Sequence, residues 1–239
     1  MGRLSNQVVV VVGGGSGIGL TVAKLAHAEE ARVIILGRSL TKLEQAKSLI
    51  GQNIRAIATD IMDETAVTQA FAEIGTFDHL FISAQDATTA TLSETTIEKL
   101  RPTLDSKIWG AFHVVKHSIF QMRSDGSITF ISGLAGRRGY PGLAVAGAAN
   151  AGIEAVARNL AVELAPIRVN TVCAGVVDTE MLDRIFGDQR AEVVKAIAQK
   201  LPVKRIGKPE EIADAVLFLM GNGFMTGATL LIDGGDALV

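Results

Sequence analysis

The chain has 239 residues, of which 48% are hydrophobic and 20% charged, and its formal net charge is −2. This length and apolar content predict one large core, so we expect a single domain over residues 1–239. The small net charge excludes the basic surface of a nucleic-acid-binding protein and gives no attraction to anionic lipid. Cys173 is the single cysteine, which excludes a disulfide framework and is typical of a reducing compartment.

The amino-terminal residues carry neither a long apolar core nor a signal-peptide cleavage site. The first apolar run, Val8–Val12, is too short to span a membrane. We therefore expect a cytoplasmic protein without a membrane partner.

Short apolar runs alternate with longer segments of helical periodicity along the whole chain. The predicted strands are Val8–Val12, Val33–Leu36, Ile54–Ala58, His79–Ile82, Ser127–Ile131, Arg168–Val172 and Thr229–Ile232. Repeated strand–helix–strand units predict a parallel sheet with helices on both faces, which is a three-layer, doubly wound Rossmann-like α/β fold. Ligands of such sheets bind at the carboxyl ends of the strands.

The first predicted strand runs into a glycine-rich turn. Its spacing is G-x-x-x-G-x-G, and Ile18 stands where the G-x-G-x-x-G pattern has its last glycine. Gly13, Gly17 and Gly19 let the backbone turn sharply, so that free N–H groups and the helix dipole can meet a pyrophosphate. With Ser16 and Ile18 they form the predicted phosphate site; a purely structural turn is the alternative.

Arg38 and Ser39 follow the second strand. A free ribose 2′-OH usually meets a carboxylate at this position, whereas a 2′-phosphate needs a cation and hydroxyl groups. Because the Arg38 guanidinium can bind a phosphate with two parallel hydrogen bonds, we expect NADP(H) to be preferred over NAD(H). The alternative is a solvated surface arginine, since the glycine turn carries Ser16 instead of a second basic residue.

Asp60 and Ile61 end the third predicted strand. The carboxylate can accept a hydrogen bond from the amino group of adenine, and the isoleucine can pack against the ring. The alternative is that Asp60 caps a helix that begins near Met62.

Several motifs in this order resemble the short-chain dehydrogenase/reductase family. They are Gly13–Gly19, Asp60, Arg168–Asn170, Ala174–Thr179, Arg205–Ala213 and Asp233–Gly235. The resemblance covers essentially the whole chain and implies the strand order 3-2-1-4-5-6-7 and a homotetramer or homodimer. It also implies that Ala84 and Gln85 contact the cofactor and that Val177 and Thr179 lie against the nicotinamide carboxamide.

The resemblance fails at the family's four catalytic positions. The family has Asn, Ser, Tyr and Lys there; this chain has Lys107, Gly133, Ala146 and Asn150. The N-N-A-G turn of the family is replaced by residues 82–85, with the sequence ISAQ.

Lys107 and Ser132 are the candidates for the missing chemistry. A desolvated Lys107 could polarise a carbonyl or donate a proton; alternatively it pairs with Asp105 or extends to solvent. Ser132 stands next to the serine position and points either into the core or toward the pocket. Tyr140 precedes Ala146 by six residues, and we expect a structural or substrate-contacting role for it rather than an acid.

Three further features are noted. His113 and His117 are four residues apart, but no third ligand accompanies them, so we expect no metal. The small-residue helix at 144–164 is predicted to lie in a subunit interface on the family's pattern. The resemblance places Met181, Leu182, Ile185 and Phe186 in the segment that closes over the substrate. Their apolar character predicts a hydrophobic lid over a small, apolar substrate; a simple amphipathic helix is the alternative.

Two functions are compatible with these observations. One is an NADP(H)-dependent oxidoreductase with a non-standard active site, acting on a carbonyl, an imine or another small organic substrate. The other is a catalytically retired NADP(H)-binding scaffold or sensor, or a non-redox catalyst on the same fold.

Overall fold

The computed structural model describes residues 2–51, 53–86 and 88–239. In this part of the chain, seven strands form one parallel sheet with the order β3-β2-β1-β4-β5-β6-β7. The strands are β1 Val8–Val12, β2 Arg32–Gly37, β3 Arg55–Ala58, β4 Phe77–Ile82, β5 Met122–Gly133, β6 Arg168–Ala174 and β7 Thr229–Ile232. The predicted fold class and strand order are confirmed.

Helices cover both faces of the sheet. They are α1 Gly17–Ala28, α2 Leu40–Ile50, α3 Glu64–Ile74, α4 Ile97–Asp105, α5 Ala111–Ser118, α6 Ala144–Glu163, α7 Glu180–Phe186, α8 Arg190–Lys200 and α9 Pro209–Gly221. A π-helical turn, Ser106–Gly110, joins α4 to α5. Within the described ranges, no helix combines the length and the apolar character needed to cross a membrane.

The strand ends differ from the predicted ones in five of the seven strands. β1 and β7 have the predicted bounds, β3 begins at Arg55 rather than Ile54, and the other strands are longer than predicted. The largest difference is in β5, which begins at Met122 because this residue pairs with Phe77 of β4. An apolar pattern cannot predict that polar residues belong to a strand, so it underestimates the length of β5.

β1 is buried on both sides of the sheet. Val9 and Val11 belong to the core layer formed with α1, α2 and α9. Val8, Val10 and Val12 belong to the layer formed with α3, α5 and α6. Successive side chains of a strand point to opposite faces, so the helices on both sides of the sheet explain why β1 is apolar at every position.

The path of the chain determines where a ligand can bind. From β3, at one edge of the sheet, the chain returns through α3 to β4 on the other side of β1. In doubly wound sheets, the crevice at the carboxyl ends of the strands opens at such a change of direction. The fold therefore places a binding groove above the carboxyl ends of β1 and β4.

His79 is a buried polar residue near the amino end of β4. Its Nδ1 lies 2.8 Å from Oγ of Ser127, and its Nε2 lies 3.0 Å from Oε1 of Gln7. Burial lowers the pKa of His79 from 6.5 to about 4. The folded protein therefore keeps this imidazole neutral at a pH at which the unfolded chain binds a proton.

We predict that His79 contributes a fall of about 3 kcal/mol in the free energy of unfolding as the pH is lowered from 7 to 4, because its imidazole takes up a proton more readily in the unfolded chain than in the folded protein. Urea unfolding at several pH values measures the change. The variant His79→Gln keeps a hydrogen-bonding side chain and should lose this part of the pH dependence. An unchanged pH slope in the variant would contradict the assignment.

Candidate functional site

A cavity of about 1310 Å³ lies at the carboxyl ends of the strands. It is bordered by the turn after β1, the segments after β2, β3 and β4, and the ends of β5 and β6. All the cofactor-binding residues predicted from the sequence line it. These are Gly13, Ser16, Gly17, Ile18, Gly19, Arg38, Ser39, Asp60, Ile61, Ala84, Gln85, Val177 and Thr179.

The glycine turn is held by close backbone packing. The N–H of Gly13 donates to the carbonyl of Leu36, 2.8 Å away. A Cβ on Gly19 would lie 2.1 Å from the carbonyl oxygen of Gly13, and Gly17 has a φ of +52°. Ser16 is the N-cap of α1, but its side chain makes no capping hydrogen bond. The turn thus presents the start of α1 to the cavity without a side-chain cap, as an anion site requires.

Arg38 is engaged by a carboxylate on the opposite side of the groove. Its Nη2 and Nη1 donate to Oδ1 and Oδ2 of Asp86 at 2.7 and 3.1 Å. These hydrogen bonds raise the pKa of the guanidinium above its usual value. Arg38 is therefore not simply solvated. Ser39 caps α2, because its Oγ accepts a hydrogen bond from the N–H of Lys42 at 3.3 Å.

Asp60 does not cap a helix. Its Oδ1 accepts a hydrogen bond from the N–H of Met62 at 3.0 Å, but the N-cap of α3 is Asp63. The alternative interpretation of Asp60 as a helix cap is therefore wrong. Beside it, Ile61 is buried, and the hydroxyl of Thr59 lies in the cavity wall, buried and without a partner among the described residues.

The segments after β4 and β6 close the groove from the other side. The N–H of Ala84 donates to the carbonyl of Val12 at 3.1 Å, which ties the segment after β4 to β1. Thr179 is the N-cap of α7, and a Cβ on Gly17 would lie 3.5 Å from its side chain. Val177 is buried and pairs with Gly207. Thr179 therefore faces the glycine turn.

Lys107 is buried in the cavity wall. It lies in the π-helical turn with only 6% of its surface exposed, and its Nζ donates a hydrogen bond to Oε1 of Gln85. Asp105 pairs instead with Arg101, with 3.3 Å between Oδ2 and Nε. Both alternatives for Lys107, a pair with Asp105 and extension to solvent, are therefore wrong. Burial lowers the pKa of Lys107 from 10.5 to about 7.

Ser132 also lines the cavity, but its hydroxyl proton is directed to a buried carboxylate. The Oγ donates to Oε1 of Glu154 at 2.7 Å. Glu154 in turn accepts from Nη2 and Nε of Arg137 at 2.8 and 3.2 Å. The serine belongs to a network in which the buried carboxylate of Glu154 pairs with the exposed Arg137, a charge pair that the sequence analysis missed. An isolated glutamate in the small-residue helix α6, one turn after Asn150, is the signal that could have revealed it.

Gly133, Ala146 and Asn150 line the same cavity as Lys107. A Cβ on Gly133 would lie 3.0 Å from Nδ2 of Asn150, so the amide fills the space beside the glycine. The turn after β5 packs closely on α6, because a Cβ on Gly136 would lie 2.7 Å from the N atom of Ala151. The end of β5 and the first turns of α6 thus form one wall.

Tyr140 donates its hydroxyl proton to another carboxylate. The Oη lies 3.0 Å from Oδ2 of Asp236, and Nη1 of Arg138 lies 2.9 Å from Oδ1 of the same residue. Burial, followed by the hydrogen bond to Asp236, raises the pKa of Tyr140 to about 12. This hydroxyl is a weaker acid than a free phenol and its proton is already engaged.

The residues predicted to form a lid lie in α7, and all of them line the cavity. They are Met181, Leu182, Ile185 and Phe186.

The histidine pair of α5 contacts the region that follows β3. Nδ1 of His113 lies 2.9 Å from the carbonyl oxygen of Ile61, and Nε2 of His117 lies 2.8 Å from Oε1 of Glu64. Among residues 2–51, 53–86 and 88–239, no group of three or more His, Cys, Asp or Glu side chains is arranged to hold a metal.

A doubly wound sheet with an open glycine turn and a long groove at its carboxyl edge defines a Rossmann-type dinucleotide-binding protein. Comparison with known sequences narrows this class. The family described as enoyl-(acyl carrier protein) reductase matches residues 13–236. The chain belongs to the short-chain dehydrogenase/reductase family and is an oxidoreductase of that type.

Three similar proteins illustrate the relationship. Carbonyl reductase family member 4 of Xenopus laevis is 32% identical, with 96% of this chain and 98% of that protein covered. The 3-oxoacyl-[acyl-carrier-protein] reductase of Chlamydia trachomatis is also 32% identical, with 99% of each covered. An NADPH-bound short-chain oxidoreductase of Pseudomonas aeruginosa, described as containing an atypical catalytic centre, superimposes with a TM-score of 0.91. It is 31% identical, with 99% of this chain and 98% of that chain covered.

Replacing Gly19 by alanine should disrupt the glycine turn. The new methyl group would lie 2.1 Å from a backbone oxygen that cannot move aside. We expect Gly19→Ala to lower the free energy of unfolding by about 2 kcal/mol or more, measured by urea denaturation.

Gly15→Ala in the same turn is the matched control, because its Cβ would make ordinary contacts at 3.6 Å. Equal free energies of unfolding for the two variants would contradict the prediction, because they would show that the turn can open enough to admit the methyl group at residue 19.

Proposed function

We propose that the protein is an NADP(H)-dependent reductase that acts on a small, apolar carbonyl, imine or related compound without the family's tyrosine acid. The observation that carries the proposal is Lys107, a buried lysine in the wall of the cofactor cavity with a pKa lowered to about 7. It stands at the family's asparagine position. Gly133, Ala146 and Asn150 stand where the family has serine, tyrosine and lysine.

The residues of the groove fit an NADP(H) molecule. The uncapped start of α1 suits the pyrophosphate, and Arg38 and Ser39 suit the 2′-phosphate. Asp60, Ile61 and the unpartnered hydroxyl of Thr59 would hold the adenine end. Ala84, Gln85, Val177 and Thr179 would hold the ribose and nicotinamide end. When bound, the cofactor supplies the hydride.

The protein's own task is then to orient the substrate and supply a proton. Lys107 in its ammonium form has a proton on Nζ that it can donate to the oxygen or nitrogen of the reduced group. Its pKa near 7 makes this transfer easier than from an ordinary lysine, because burial destabilises the charged ammonium form relative to the neutral amine. The apolar side chains of α7 exclude water from the same cavity.

Ser132 and Tyr140 have other tasks in this proposal. Each directs its hydroxyl proton to a carboxylate, Glu154 and Asp236 respectively. They shape the cavity wall. The oligomeric state, homotetramer or homodimer, and the cytoplasmic location stay predictions.

The reaction is tested by following the absorbance of reduced NADPH with a panel of ketones, quinones and cyclic imines. Oxidation of NADPH by any of them supports the proposal. Tight NADPH binding without oxidation across the panel would instead support the retired scaffold or the non-redox catalyst.

Lys107→Met should lower kcat for a neutral carbonyl or imine by about 100-fold, because no other proton donor replaces the ammonium group. A preformed iminium ion accepts a hydride without a proton, so its reduction should be nearly unchanged. Lys99→Met, at an exposed position of α4, is the control. Unchanged turnover of the neutral substrate by Lys107→Met, with unchanged cofactor affinity, would contradict the role of Lys107.

The pH profile gives an independent test of the same group. The protonated form of Lys107 is the acid, so the rate with a neutral substrate should be full well below pH 7, about half-maximal near pH 7 and lower at higher pH. The fall should be absent with an iminium substrate. A rate that rises across this range would mean that the neutral amine is the active form.

Arg38→Asp tests the cofactor assignment. We expect this change to weaken NADPH binding by about 100-fold and NADH binding by less than about threefold, because only NADPH carries the 2′-phosphate. Fluorescence titration measures both affinities. Arg32→Asp, at the exposed amino end of the strand that Arg38 follows, is the control. Equal weakening of both cofactors would show that Arg38 does not contact the 2′-phosphate.

A further inference from the structure

The ion pair between Arg38 and Asp86 crosses the cofactor groove. Arg38 follows β2 and Asp86 follows β4, and these two strands flank β1 in the sheet. The pair therefore spans the carboxyl end of β1, where the glycine turn begins. Both side chains line the cavity.

The backbone of Asp86 is hydrogen-bonded to the π-helical turn that contains Lys107. The N–H of Asp86 donates to Oγ of Ser106 at 2.9 Å, and this hydroxyl donates to the carbonyl of Pro102 at 2.7 Å. The preceding residue, Gln85, accepts the hydrogen bond from Lys107. The carboxylate is thus presented to Arg38 by a segment that is hydrogen-bonded to this π-helical turn at both Gln85 and Asp86.

The carboxylate of Asp86 uses the same two donors that a phosphate would need. Nη1 and Nη2 of Arg38 bind its two oxygens in parallel, which is the arrangement in which a guanidinium binds a phosphate. Lys42 and Asp60 also line this end of the cavity. The negative charge of Asp60 favours the charged form of Arg38. Nζ of Lys42 lies 4.0 Å from Oε2 of Glu180. The Arg38 guanidinium cannot use Nη1 and Nη2 for Asp86 and for a phosphate at the same time.

We propose that Asp86 is a positioning residue that sets the discrimination between NADP(H) and NAD(H) by competing with the 2′-phosphate for Arg38. The inference rests on the proposed role of Arg38 in NADP(H) binding. A cofactor with a 2′-phosphate must displace the carboxylate and then lies near its negative charge. A cofactor with a free 2′-OH leaves the ion pair intact. Asp86 therefore weakens NADP(H) binding selectively.

The test uses adenosine fragments, so that neither turnover nor the nicotinamide end enters the result. Calorimetry would measure the affinities of 2′,5′-ADP and 5′-AMP at one ionic strength. We expect Asp86→Asn to tighten 2′,5′-ADP binding by about fivefold and to change 5′-AMP binding by less than about twofold. Asp86→Glu should restore the wild-type affinities.

Two controls separate the proposed cause from others. Asp125→Asn removes the same charge from an exposed position near the amino end of β5, away from the cavity, and should change neither affinity. In the Arg38→Met background, Asp86→Asn should lose most of its effect on 2′,5′-ADP. An effect of full size in that background would contradict action through Arg38.

The outcomes distinguish this inference from the proposed function. If Arg38→Met does not selectively weaken 2′,5′-ADP binding, the assignment of the 2′-phosphate site is wrong, and the inference with it. If Arg38→Met does so but Asp86→Asn leaves both affinities unchanged, only the inference is wrong. Weaker 5′-AMP binding by Asp86→Asn would make Asp86 a ribose contact and would also overturn it.

Discussion

The whole site depends on the close backbone packing within the turn between β1 and α1. Residue 19 meets the carbonyl of residue 13 at a distance that admits no side chain, and the N–H of residue 13 is bonded to the end of β2. This packing fixes the start of α1 above the centre of the sheet. Because β2 and β4 flank β1, the segments that follow them become the two walls of one groove. Every residue assigned to the cofactor takes its place from that arrangement.

Basic side chains in and beside the cavity meet two kinds of partner. Three arginines bind carboxylates, in the pairs Arg38–Asp86, Arg137–Glu154 and Arg138–Asp236. Lys107 is buried beside the neutral amide of Gln85 instead. A carboxylate partner favours the charged form of a base, whereas burial beside a neutral group disfavours it. Burial beside a neutral partner therefore brings the pKa of Lys107 to about 7, whereas an arginine guanidinium stays charged near neutral pH whatever its partner.

Sequence patterns were sufficient for the fold and for the location of the site. The central strand β1, the glycine turn and the alternation of strands and helices are local features with strong periodicity, and they predicted the sheet and the lining of the groove. The pairings of Arg38 with Asp86, Lys107 with Gln85 and Ser132 with Glu154 could not be predicted. They join residues 48, 22 and 22 positions apart. Their geometry depends on the paths of loops that carry no periodic signal.

The two sides of the cavity differ in how much sequence change they can absorb. Along the wall formed by β5 and α6, backbone lies against backbone at Gly136 and at Gly147, where a Cβ would be 2.6 Å from the carbonyl oxygen of Ala135. On the opposite side, α7 is a short helix in which Leu182 is buried while Met181, Ile185 and Phe186 are only partly covered. The partly covered side chains of α7 can thus be exchanged without moving the backbone, so the shape of the cavity can change more easily on this side. The wall formed by β5 and α6 would keep its shape while those side chains are changed.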